Sequence, residues 1–129
     1  MKTIKLTLFL LLTCVCASAQ IDTTELIFGD WYIDGGRTLN IDVEEQATFS
    51  RINNDSLFLK WTFSENNQFV RSGVFKSPDK NYPIGFKSKP SKWSFNKGQG
   101  EILIVTNGHG QEFKIVSLDV EIFTISRLK

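Results

Sequence analysis

The sequence predicts an all-β domain, an antiparallel up-and-down (meander) barrel of about eight or nine strands with one short N-terminal helical turn. Three observations carry this. After Gly29 almost every segment alternates apolar with polar residues, the two-residue period of strands that bury one face. Turn-forming clusters (Asp34–Gly36, Asn53–Asp55, Glu65–Asn67, Gly98–Gly100 and Asn107–Gly110) punctuate those segments with residues that tolerate positive φ. The 11 Phe and 3 Trp suit half-buried strands better than helices.

The fold is expected over residues 20–129. Residues 1–19 read as a removable signal peptide: Lys2 and Lys5, an apolar run from Leu6 to Val15, then Ala17-Ser18-Ala19, with cleavage near Ala19/Gln20. The apolar run is short for a membrane span. Secretion or a periplasmic location follows, with no transmembrane segment expected. A lipid anchor on a leader cysteine is the rival, and Thr13 is larger than the small residue that usually precedes such a cysteine. Both cysteines, Cys14 and Cys16, lie in the leader, so the mature domain is expected to have neither a disulfide nor thiol chemistry. Without Lys2 and Lys5, 13 basic residues face 14 acidic ones. So balanced a chain has no global field for nucleic acid or an anionic membrane, and a monomer without nucleic-acid partners is expected.

The strands are expected at 29–34, 37–43, 47–52, 56–64, 68–76, 92–96, 101–106, 111–117 and 120–127. In the fourth, Leu57, Leu59, Trp61 and Phe63 share a face; in the fifth, Phe69, Arg71, Gly73 and Phe75 do. Asp22–Phe28 has capping residues followed by Glu25, Leu26 and Ile27, enough for one or two helical turns across one end of the sheet. Ser77–Lys92 holds all three prolines and four lysines and keeps no period. It reads as a solvated crossover or as a basic, aromatic-bearing lip (Tyr82, Phe86, Lys80, Lys87, Lys89) over a cavity mouth. So many antiparallel strands must close or fold over to hide their edges, and the short hairpins favour a barrel.

Four stretches, in order, carry a resemblance. A helical turn precedes Gly29-Asp30-Trp31, similar to the G-x-W opening of the lipocalin first strand. "LKWTFSENNQF" (59–69), "SKWSFNKGQGEILI" (91–104) and "FKIVSLDVEIFTISR" (113–127) resemble a central strand and its turn, a second tryptophan hairpin and a closing hairpin. The chain thus resembles the small secreted or lipid-anchored lipocalin-like proteins of Bacteroidota. It departs from longer lipocalins in lacking a mature disulfide and a C-terminal helix. The resemblance implies a barrel floor of Gly29, Trp31 and Arg127, with the Arg127 guanidinium stacked on Trp31.

Catalytic chemistry has little to stand on. His109 is the only histidine and lies at a hairpin tip. No cofactor is implied, and neither a metal site nor a Ser–His arrangement has its partners. The pairs Asp30/Asp34 and Glu44/Glu45 read as solvated strand and turn residues rather than a catalytic pair. Trp61, Phe63, Trp93 and Phe95 read as core rather than a stacking platform. Arg71, in register with Phe69 and Phe75, and Arg51, two residues after Phe49, would point inward and could receive a carboxylate; a bulge would instead turn them outward. The expected function is a non-enzymatic binding protein for a small apolar or amphipathic ligand. Its candidate cavity residues are Leu57, Leu59, Trp61, Phe63, Phe69, Arg71 and Phe75, with Tyr82, Phe86 and Lys87 at the rim. The alternative is a protein-interaction or inhibitor module with a filled core.

Overall fold

The computed structural model describes residues 22–34, 45–76 and 79–128. The expected signal peptide, the 37–43 strand and Glu44 lie outside them. The chain begins with α1 (Thr23–Ile27), whose N-cap Asp22 accepts a hydrogen bond from the Thr24 N–H. The strands follow in order: β1 (Gly29–Asp34), β2 (Gln46–Ser50), β3 (Phe58–Phe63), β4 (Gln68–Lys76), β5 (Pro83–Lys87), β6 (Ser91–Asn96), β7 (Glu101–Thr106), β8 (His109–Leu118) and β9 (Ile122–Arg127).

All pairings are antiparallel, and a β3–β4 pairing closes the sheet order β3-β1-β2-β9-β8-β7-β6-β4 into an eight-stranded barrel, with β5 as an added strand on β4. The expected barrel class holds, with one departure from next-neighbour order. β2 and β3 lie on either side of β1, so they run parallel to each other and residues 51–57 cross over β1. Ile52 and the residues after it up to Ser56 are exposed, which puts the crossing on the solvent side.

The stretch 77–92 was expected to be irregular, yet it contains β5. Its Pro83, Gly85 and lysines mask the period, and its pairing comes from the length of β4. The first residues of β4 pair with β6 (Phe69↔Ser91), and the later ones with β5 (Val74↔Gly85). β5 and β6 therefore run along the same edge of β4, separated by an irregularity at Ser88–Pro90. Gly73 lies tight against β3: a Cβ there would run into the Phe58 carbonyl oxygen.

The inward faces meet as an aromatic core. Trp61 contacts Phe49, Phe69 and Phe113 at ring-centroid distances of 4.9, 5.2 and 5.4 Å. Phe63 reaches Phe123 at 6.2 Å and Trp93 at 5.1 Å. Rings from opposite walls touch, so the barrel is filled at this level.

Candidate functional site: a basic cleft in the barrel wall

The two ends of the barrel differ. At the closed end α1 packs Ile27, fully buried, beneath β1, and the Trp31 indole N–H donates to the Ile27 carbonyl at 2.9 Å. The guanidinium over Trp31 belongs to Arg51, not to Arg127 as the resemblance implied: Arg51 Cζ lies 3.6 Å from the ring centroid. Arg51 also donates from Nη2 to the Leu26 carbonyl at 2.7 Å and from Nη1 to the Asp30 carbonyl at 3.0 Å. Desolvation lowers its pKa, and the Asp30 charge partly restores it. Gly29, at φ +104°, leaves room for this arrangement, since a Cβ there would stand 2.9 Å from Arg51 Nη1. The correction has a topological cause. β9 starts beside the end of β2 (Ile122↔Ser50) and runs away from it, so Arg127 ends at the opposite rim.

At that rim Arg71 points inward, in register with buried Phe69, as its spacing requires. Its Nη2 donates to Gln111 Oε1 at 2.6 Å, and its Cζ lies 5.2 Å from the Trp61 centroid and 5.6 Å from that of Phe69. Desolvation lowers the Arg71 pKa, and the positive charge of Arg127 lowers it further. Two guanidinium groups thus feel each other at the top of the barrel.

The rim is open beside Arg71 for a reason that is local in sequence. β7 and β8 are joined by a tight turn at Asn107–Gly108, where both residues have positive φ (51° and 78°). The hairpin therefore ends level with Ser91, whose hydroxyl meets that of Thr106 at 2.8 Å. β5 continues past this level with no strand of the hairpin beside it. The gap is a cleft of about 610 Å³ between Ser88–Lys92 and Val105–Gly108, with Phe69 and Arg71 at its base. Its charged lining residues are Arg71, Lys89 and Lys92, and no carboxylate is among them. The Ser88 hydroxyl accepts from the Arg71 N–H at 2.9 Å, so the irregular stretch after β5 is fastened to the residue that anchors the cleft.

The candidate residues separate into three groups. Leu59, Trp61 and Phe63 are at most 3% exposed and belong to the packed core; Phe69, equally buried, also forms the cleft base. Leu57 precedes β3 and is half-buried, and Phe75 packs on Phe86 at 5.8 Å, outside the cleft lining. At the rim Tyr82 is 58% exposed with Lys80 Nζ 5.7 Å from its ring centroid, and Lys87 is exposed. Trp93 is core: its indole N–H donates to the Ser64 carbonyl at 3.0 Å. His109 is exposed at the start of β8, and Asp30 accepts from the Thr62 hydroxyl at 2.6 Å. Among the described residues no three His, Cys, Asp or Glu side chains converge as a metal site, and no helix is long and apolar enough to cross a membrane.

Sequence reading missed the parts of Lys92, Asn107 and Gln111. The alternation that puts Gln111 on the face of Phe113 was legible; its meeting with Arg71 was not, because that depends on register around the barrel. No family model, no curated protein and no solved structure matches this chain.

Proposed function

We propose that this chain is a small lipocalin-like binding protein, secreted after loss of its leader, that holds an amphipathic molecule by an anionic head. The carrying observation is Arg71: an inward guanidinium, depleted of water, at the base of a cleft lined by basic residues and no acidic ones. An anionic head would relieve the mutual repulsion of Arg71 and Arg127, while its apolar part would lie along Phe69 and Val105. A volume of about 610 Å³ lies within the ordinary range for small-molecule sites. The Trp61 indole N–H, buried and without a hydrogen-bond acceptor, adds a second donor to the interior.

Native mass spectrometry of protein purified from its own cells, with calorimetric titration of dodecanoate and of dodecyltrimethylammonium, tests this. Dodecanoate should bind one to one and the cationic amphiphile should not. Arg71→Gln should weaken dodecanoate by about tenfold to a hundredfold, the loss of a charge-assisted hydrogen bond. No co-purifying small molecule and no dodecanoate binding, or binding indifferent to Arg71, overturns the proposal.

The packed core supports a second reading, an interaction module. Rings that meet across the interior leave the lower barrel no chamber, and a protein partner at the rim would need none.

A further inference from the structure

β5 is bonded on one side only. It pairs with β4, and among the described residues no strand lies on its other edge. Which backbone groups face that edge follows from one hydrogen bond: the Ser88 N–H donates to the Arg71 carbonyl at 2.8 Å. Antiparallel ladders alternate, so Phe86 and Ile84 also turn toward β4, while Gly85 and Lys87 direct their N–H and C=O groups away from it. Pro83 adds an outward carbonyl and no donor.

The open edge leads into the cleft. β7 pairs with β6 as far as Lys92↔Val105, then leaves that line at the Asn107–Gly108 turn. A strand laid along β5 would continue the line of β7 on the far side of the turn and fill the gap in the wall.

Charge selects the occupant. From Lys80 to Asn96 the sequence has lysines at 80, 87, 89 and 92 and no Asp or Glu, in a chain whose formal net charge is +1. Lysine and proline on an exposed edge discourage pairing with a like edge. Two β5 edges brought together would oppose lysine with lysine, whereas an acidic strand would meet complementary charge. We propose that the free edge of β5 receives an extended, acidic segment of another protein as an added strand, held by main-chain hydrogen bonds to Gly85 and Lys87 and selected by the surrounding lysines. The strand would cover the cleft that has Arg71 at its base, but its main-chain hydrogen bonds are made at Gly85 and Lys87, so the proposal stands whether or not an Arg71 ligand exists.

The test uses the full mature chain and two fluorescein-labelled peptides, one alternating Glu with Val and one alternating Lys with Val. Anisotropy should show binding of the acidic peptide alone, weakening as salt rises. Hydrogen exchange should show the Gly85 and Lys87 amides newly protected in the complex. Lys87→Pro removes an outward donor and should weaken binding about tenfold or more. Lys87→Glu, which keeps the donor and reverses the charge, should also weaken it and confirms the site if the proline variant does not fold. Arg71→Gln, which removes a charge at the cleft base but no hydrogen bond of the β5 edge, should weaken peptide binding less than either Lys87 variant. Equal binding of both peptides, no protection at Gly85 and Lys87, or sensitivity to Arg71 but not to Lys87 overturns the proposal. So does sedimentation showing that the chain dimerises through β5.

Discussion

Arg51 covers the Trp31 ring at 3.6 Å and fastens it to α1, because the same guanidinium bonds the carbonyls of Leu26 and Asp30. One side chain thus ties the helical turn, β1 and the end of β2 together. Arg51→Ala should cost about 2–3 kcal/mol, combining a half-desolvated cation–π contact with two charge-assisted hydrogen bonds. Urea unfolding measures it; Arg127→Ala should cost less, and the reverse order would return the floor role to Arg127.

The three tryptophans predict a ranking. Trp31 and Trp93 donate to the carbonyls of Ile27 and Ser64, while the Trp61 N–H has no acceptor. Each Trp→Phe change leaves a void in a packed core, but only two of them also strand a carbonyl, at about 1–3 kcal/mol. Trp61→Phe should therefore be the mildest of the three and Trp31→Phe the most severe, as read from denaturant midpoints.

Glycines on neighbouring strands should respond unequally. Gly73→Ala pushes a methyl group into the Phe58 carbonyl, where backbone must move, and should cost more than about 2 kcal/mol. At Gly85 the nearest atom to an added Cβ is 3.8 Å away, so Gly85→Ala should stay within about 1 kcal/mol of the parent. Thermal melts of the two variants separate close packing from simple strand propensity.

Asp119 gives a pH signature. Its carboxylate accepts from the N–H groups of Glu121 at 2.8 Å and Ile122 at 2.7 Å, and these bonds lower its pKa. A depressed folded pKa means the contribution is complete above the unfolded value of about 3.9 and disappears as pH falls through the lower folded value. The stability gap between the parent and Asp119→Asn should shrink as pH falls from about 5 to about 2. A gap independent of pH would show that the turn does not depend on the charge.

Much of the barrel was legible because its strands bury one face. Phe69, Arg71 and Gly73 share a face in the sequence and in the structure. β5 was hidden because Pro83 and Gly85 look like loop residues and its partner residues on β4 are set by tertiary length, not by local pattern. Arg51 and Arg127 both alternate with inward residues, and alternation says which face a residue takes but not which end of the barrel it reaches. The cleft was illegible for a related reason: Ser88–Pro90 and Asn107–Gly108 become neighbours only when register is fixed around the whole ring.

The place of β2 has a consequence for how the barrel is completed. β2 is held to β9 by five residue pairs, from Gln46↔Ser126 to Ser50↔Ile122, and borders β1 at Tyr32↔Ser50. The earliest part of the chain can close the ring only after the last strand has arrived, so ring closure is a late, long-range step of folding. The β2–β9 border is then the join made last. Amides along it should gain protection during refolding after those at the β3–β4 border, whose strands are neighbours in sequence.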